Sequence, residues 1–312
     1  ANKVNTSDRI FISLTLPASI ALAIFMICCN VLILRVLLKK PKKTSTALAM
    51  ISMGVADTLL CILGVPMVIF TDLNMVLPFY SCLLLTCAIV GGAIVSSFHQ
   101  VLIAMQRWYM VTFPTRYKGL LTHSSICLHI ALCWIGGIFI CLIPVMGFNS
   151  YYSLRAAKEA SAGCRQKPQL CRVVCAYQNV LSMEYMVYII FYGCVMVPLL
   201  LIALLYAMVF KKVKAQNHRS PPAGHLLFYQ KEKRMVWTMT MIVLIYAAAR
   251  LPFNLVAMVL LYCRHCRLPF WMAPSAILLA IFSTASNPFM YFFRSQEMRT
   301  AWRKFVRRKR VG

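Results

Sequence analysis

Asp57, Arg107 and Arg250 are charged side chains that stand where the chain otherwise offers hydrocarbon. Each lies inside, or at the end of, an apolar run of membrane-spanning length. A charge there costs at least about 3 kcal/mol unless something pairs with it, so such a residue marks a binding or charge-balancing role. Asp57 sits within 44–70 and reads as a charge site inside a helix bundle. Arg250 stands two positions before Pro252, near the middle of the run 235–262. It either pairs with an acid or contacts a ligand; the alternative is a side chain snorkelling to a water pocket. Arg107 follows the uncharged run Leu83–Met105, at the point where a helix would leave the membrane. His99 and Gln100, within that run, read as interhelical hydrogen-bond partners. Glu184 ends an outer loop and reads as a solvated charge rather than a ligand contact. Enzyme chemistry finds no support: there is no glycine-rich phosphate loop, no H-E-x-x-H and no nucleophile elbow. No cofactor is expected.

Composition supplies the solvent for these charges. The 312 residues are 61% hydrophobic, with a mean hydropathy of +0.74. Consecutive apolar runs exceed the roughly 20 residues that cross a bilayer, which predicts a polytopic membrane protein. The net charge of +26 is concentrated between and after the runs, from Lys39 to Lys43, at Arg116 and Lys118, from Lys211 to Arg234, and from Arg294 to Arg310. That distribution follows the positive-inside rule and attraction to anionic inner-leaflet lipid, and excludes a nucleic-acid partner as its main cause. Internal repeats of the transporter kind are absent.

The predicted spans are 10–38, 44–70, 82–114, 125–146, 183–210, 235–262 and 269–293. The fold class is therefore an all-α membrane protein, a seven-helix bundle. Residues 1–9 form an outer head with a glycosylation acceptor at Asn5. Residues 294–312 form a basic tail, in which Met298, Trp302, Phe305 and Val306 space an amphipathic helix on the inner leaflet. The third span is expected to be the hub, because Gly91, Gly92, Ala93, Ser96, Ser97 and Ala104 let other helices approach. Of the fourteen cysteines, Cys82, Cys164, Cys171, Cys175, Cys263 and Cys266 fall on the oxidising side. They read as a framework of about three bridges with the pairing left open. Pro198, Pro252 and Pro288 should kink the last three spans. No cleavable signal peptide is read at the first run.

These residues resemble the rhodopsin-like G-protein-coupled receptors over nearly the whole chain. The marks are Asn30, Ala56-Asp57, Cys82, Arg107, Trp134, Pro198, Tyr206, Pro252 and Asn287-Pro288-Phe289-Met290-Tyr291, each on its own span and in order. Within that family the chain is most similar to the adenosine receptors. The similarity is carried by Phe79-Tyr80-Ser81-Cys82-Leu83, Arg116-Tyr117-Lys118, Leu121-Thr122-His123, Leu132-Cys133-Trp134, Tyr185-Met186-Val187-Tyr188 and Cys263-Arg264-His265-Cys266. The resemblance implies bridges Cys82–Cys175 and Cys263–Cys266, leaving Cys164 with Cys171. It implies a small-molecule ligand, nucleoside-like or anionic, and a heterotrimeric G protein, the inhibitory class following from the adenosine-receptor likeness. It also implies a plasma-membrane protein with its head outside and its tail inside. A dimer or heteromer stays open.

The departures set the expectations. Where the family holds adenine with Asn, this chain has Ala257; a His becomes Asn254; a Ser-His pair becomes Ala280-Ile281; a first-span Glu becomes Ser19. Tyr177 keeps the stacking aromatic, but its neighbour is Gln178. Ile89 stands where amine receptors carry Asp. Losing those donors should cost several kcal/mol, so adenosine is expected to bind poorly. The family's acid before Arg107 is Gln106, and Trp108 follows. Glu232 keeps the family's lock position, while Tyr206 and Tyr291 keep the tyrosines of the active arrangement. Higher basal activity is the expectation. A sodium ion in this family sits at Asp57 with Ser96 and span-seven groups, here Ser283, and Arg250 is a candidate to replace it. The alternative function is a non-coupling membrane partner derived from a receptor.

Overall fold

A computed structural model describes residues 6–39, 43–151, 172–217, 223–263, 266, 269 and 271–283. Its elements, in order, are α1 (Thr6–Leu38), α2 (Ser45–Asp72), β1 (Val76–Pro78), α3 (Phe79–Thr112), the short α4 (Tyr117–Leu120), α5 (His123–Leu142), β2 (Arg172–Val174) and the short α6 (Tyr177–Val180). A π-helical segment (Tyr185–Met196) then leads into α7 (Val197–Asn217), followed by α8 (Ala223–Tyr262) and α9 (Met272–Ser283). Six of the described helices are long and apolar enough to cross a membrane. Asn5, Cys164, Cys171, Asn287, Pro288, Tyr291 and the tail from 294 lie outside the described residues.

The helix starts follow local chemistry. The Thr44 hydroxyl accepts from the Ala47 amide and caps α2, and the Thr122 hydroxyl accepts from the Ser125 amide and caps α5. Each cap satisfies one of the amides that a helix start leaves without a partner. Pro198 has no N–H to donate, and the chain ahead of it takes the wider i→i+5 register, with the Val197 amide bonded to the Tyr192 carbonyl. Wide turns of this kind gather at functional sites and at breaks in the helix ladder.

The hub is α3, which packs on α2, α5 and α7. Half of its spanning window is buried inside the protein, against 17% for α5, whose Leu128, Leu132, Ile135 and Phe139 point outward. Small residues allow the closeness. A Cβ on Gly91 would meet Cys141 Sγ at 2.9 Å, and a Cβ on Gly137 would run into the Val95 side chain. The Trp134 indole N–H donates to Ser52 Oγ at 2.8 Å, tying α5 to α2. His99 is fully buried but stays within its own helix: its Nδ1 lies 2.7 Å from the Val95 carbonyl. That corrects the interhelical reading for His99.

At the outer end the sequence reading made 71–80 a plain loop, whereas β1 pairs antiparallel with β2, Val76 opposite Val174. Three-residue strands carry no periodicity, and the partner lies far along the chain. A disulfide joins Cys82 to Cys175, and a second joins Cys263 to Cys266. The Cys175 amide donates to the Met75 carbonyl at 2.9 Å, and the Thr71 hydroxyl donates to the Cys175 carbonyl at 3.1 Å.

Replacing Gly137 with Ala should destabilise the bundle by about 1–3 kcal/mol through overpacking against Val95. The same change at Gly119, where nothing lies within 4 Å, should be near neutral. Thermal unfolding of both variants in detergent checks the contrast.

Candidate functional site

A cavity of about 120 Å³ opens between α3, the π-helical segment, α8 and α9. Its walls are aliphatic, with Ile89, Val90 and Ile94 from α3, Ile190 from the π-helical segment and Ile277 from α9. Among the described residues that line it, Arg250 is the one that carries a charge. The register of α8 puts it there: Tyr246, Arg250 and Phe253 fall on one face at helical spacing. The Arg250 guanidinium carbon lies over the Tyr246 ring, 5.3 Å from its centroid, a cation–π arrangement. The Tyr246 hydroxyl lies 2.6 Å from Ser97 Oγ, which also lines the cavity. A chain of three side chains therefore links α3 to the intramembrane cation.

Phe253 forms part of the wall, and the Tyr177 ring packs on it with centroids 5.1 Å apart. Tyr177 stands two residues after the bridged Cys175, so the disulfide and the β1–β2 pairing hold α6 against the outer end of α3. The Tyr177 hydroxyl is buried with no hydrogen-bond partner among the described residues. Burial pushes its phenol up to about 12, so it is a neutral O–H at physiological pH.

The other sequence-selected positions separate. Ile89 and Arg250 line the cavity. Asn254 does not: its side-chain amide donates to the Arg250 carbonyl at 2.9 Å, and its Oδ1 is buried without a partner among the described residues. Ala257 is fully buried in the core cluster that also holds Tyr177 and Met186. Glu184 is exposed. Ala280 lines the cavity, while the side chains of Ile281, Ser283 and Glu232 lie outside the described residues. Asp57 and Ser96 are both buried, on α2 and α3. Leu60, one turn from Asp57, is part of the cavity wall. Sequence reasoning missed Tyr246, Ser97 and Phe253 as its neighbours. An aromatic four residues before a buried arginine was the available signal for Tyr246.

At the inner end of α3, Arg107 is 6% exposed and its Nη1 lies 4.0 Å from Met110 Sδ. Tyr206, on α7, is also buried. Gln106 is buried with neither amide heteroatom hydrogen-bonded among the described residues. Trp108 packs against Val111, Val209 and Val213, joining α3 to α7.

Residues 11–291 match the family described as 7 transmembrane receptor (rhodopsin family). The chain is 30% identical over 304 residues to adenosine receptor A2a of Homo sapiens, covering 95% of this chain and 72% of that receptor. It is 30% identical over 310 residues to adenosine receptor A2b of Canis lupus familiaris, covering 98% of this chain and 92% of the receptor. Against adenosine receptor A2b of Mus musculus the identity is 29% over 313 residues, with the same coverages.

Replacing Tyr177 with Phe should leave stability unchanged or raise it by up to about 1–3 kcal/mol, because it removes a buried hydroxyl that lacks a partner. Replacing it with Ala should lower stability by about 3–5 kcal/mol through loss of the ring against Phe253. Thermal midpoints of the two variants in detergent give the comparison.

Proposed function

From the premise that this chain belongs to the rhodopsin family of seven-transmembrane receptors and is related to the adenosine receptors, we propose that it transmits an outer signal, or basal activity, to a heterotrimeric G protein. The carrying observation is the inner end of α3, where Arg107 is buried, as is Tyr206 on α7, with an amide, Gln106, in place of an acid. A carboxylate next to Arg107 would hold the guanidinium by a charge-assisted hydrogen bond worth roughly 1.5–3 kcal/mol. Gln106 supplies none of that charge. The inactive arrangement loses part of its clamp, and the equilibrium shifts toward the active one by that difference.

The outer ligand acts through the cavity at Arg250, and α8 swings about Pro252. Adenosine is a poor ligand, because Ala257 and Ala280 offer no side-chain donors. The clustering of Lys and Arg between spans supports an outer head and an inner tail in the plasma membrane. Asp57 and Ser96 offer buried oxygen donors of the kind a hard cation takes, which supports sodium between α2 and α3.

With surface levels matched, Arg107→Ala should bring ligand-independent G-protein activation down to the level of cells without receptor. Gln106→Glu should lower it roughly tenfold, the effect of about 1.4 kcal/mol on the two-state equilibrium. Nucleotide exchange on the G protein and cAMP, scored in both directions, are the readouts. Activity that survives Arg107→Ala would overturn the coupling reading. A native chain silent in every assay would favour the non-coupling membrane partner.

A further inference from the structure

On the outside of the bundle an acid and three tyrosines share one groove, between the π-helical segment and α8. Along the π-helical segment and its entry, exposed residues recur at Glu184, Tyr188 and Tyr192, while Tyr185, Met186, Val187, Ile190 and Phe191 between them are buried. On α8, Leu255 and Tyr262 are exposed and stand seven residues apart, on one face of the helix. The Tyr262 hydroxyl donates to the Tyr188 hydroxyl at 3.0 Å and joins the two walls. The Tyr188 and Tyr192 rings stack with centroids 6.4 Å apart. Tyr188 is 54% exposed and Tyr262 58%, so both face the lipid and its headgroups rather than the bundle interior.

The chemistry changes in order along this groove. Tyr262 directly precedes the Cys263–Cys266 bridge, which marks the outer end of α8. At that level Glu184 offers a carboxylate, and no Lys or Arg occurs between Arg172 and Lys211 to neutralise it. One turn further in, Tyr188 accepts from Tyr262 and keeps its own O–H to donate to another acceptor. Four residues separate Glu184 from Tyr188, about 6 Å along a helix, the scale of the gap between ammonium and phosphate in a choline headgroup. Deeper still, Tyr192 and Leu255 present ring and aliphatic surface. Exposed Gly193 adds no side chain beside Tyr192, which leaves room for an acyl chain. A quaternary ammonium is attracted both by a carboxylate and by tyrosine faces. An anionic headgroup is repelled by Glu184, and anionic lipid belongs to the inner leaflet. Tyrosines are common at membrane interfaces, but the acid and the paired hydroxyls make this set selective.

We propose that this groove binds a phosphatidylcholine molecule, with its ammonium at Glu184 and the tyrosine rings, its phosphate at the Tyr188 hydroxyl and an acyl chain along Tyr192 and Leu255. The lipid lies across the joint between the π-helical segment and α8, so it favours the arrangement in which Tyr188 and Tyr262 are bonded. Its placement in the outer leaflet rests on the orientation proposed above; the binding itself rests on the groove and is independent of G-protein coupling.

The test uses the full chain in detergent micelles carrying equal amounts of phosphatidylcholine, phosphatidylethanolamine and phosphatidylglycerol with identical acyl chains. Native mass spectrometry identifies the retained lipid. Phosphatidylcholine should be retained in preference to the other two. Glu184→Gln should weaken its binding roughly two- to fivefold, the loss of one exposed charge pairing. Tyr188→Leu combined with Tyr262→Leu should erase the preference. Phe139→Leu, which alters an equally exposed aromatic on α5, should leave it intact. All of these side chains are exposed, and thermal midpoints check that the variants fold. Equal retention of the three lipids, a preference that survives either groove variant, or an equal loss in Phe139→Leu would overturn the site. Displacement by an equal concentration of glycerophosphocholine would show a soluble headgroup ligand and overturn the lipid assignment.

Discussion

The closeness of α3 to its neighbours is the constraint on which the rest depends. In a membrane, lipid tails compete with side chains for every apolar contact, so helices hold together through tight packing and a few polar ties. Gly91 and Gly137 let α3 and α5 meet nearly backbone to backbone, where one added methyl would collide. Trp134 then reaches Ser52 on α2, and Thr86, Ser97 and His99 return hydrogen bonds to carbonyls of α3 itself. A thicker α3 would move the cavity, the inner arginine and the outer disulfide together, because all three are attached to it.

Above this hub the outer layer works as a cover. The Cys82–Cys175 bridge, the β1–β2 pair and the Thr71 hydroxyl all converge on the residues just before Tyr177. Tyr177 then rests on Phe253, and Phe253 is part of the cavity wall. A bound molecule that moves Phe253 therefore presses on α6 as well as α8. The π-helical segment contributes to the same cavity through Ile190 and Cys194, so the widened register before Pro198 shapes the site it borders.

Two of the arginines, Arg107 and Arg250, stand in different surroundings. Arg107 lies at the inner end of α3, beside a buried amide that gives it no countercharge. Arg250, partly buried on α8, shares its surroundings with the Tyr246 ring, aliphatic walls and the Ser97 hydroxyl. Arg250 stands on α8, the helix that carries Pro252. Both sites meet α3, one through Ser97 and the other directly, so a single helix connects the outer cavity to the inner face.

Much of this was legible without coordinates. Spans were readable because hydrocarbon tolerates so few residue types, and the family because Asp57, Arg107, Pro252 and the span-seven motif occur in order on separate runs. The Cys82–Cys175 and Cys263–Cys266 pairs followed from that resemblance, as did the choice of Ile89, while Arg250 was picked out by its charge inside an apolar run. Periodicity could not give the outer strand pair, whose two short segments lie far apart in the chain. Nor could it show that Asn254 turns back onto the Arg250 carbonyl, that Ala257 is sealed in the core, or that Ser97 reaches Tyr246. Residue type reports what a side chain can do, and the membrane makes that report unusually clear. Which groups share a cavity depends on helix rotation and on distances of an ångström or two, and those are fixed only when every helix packs against the same α3.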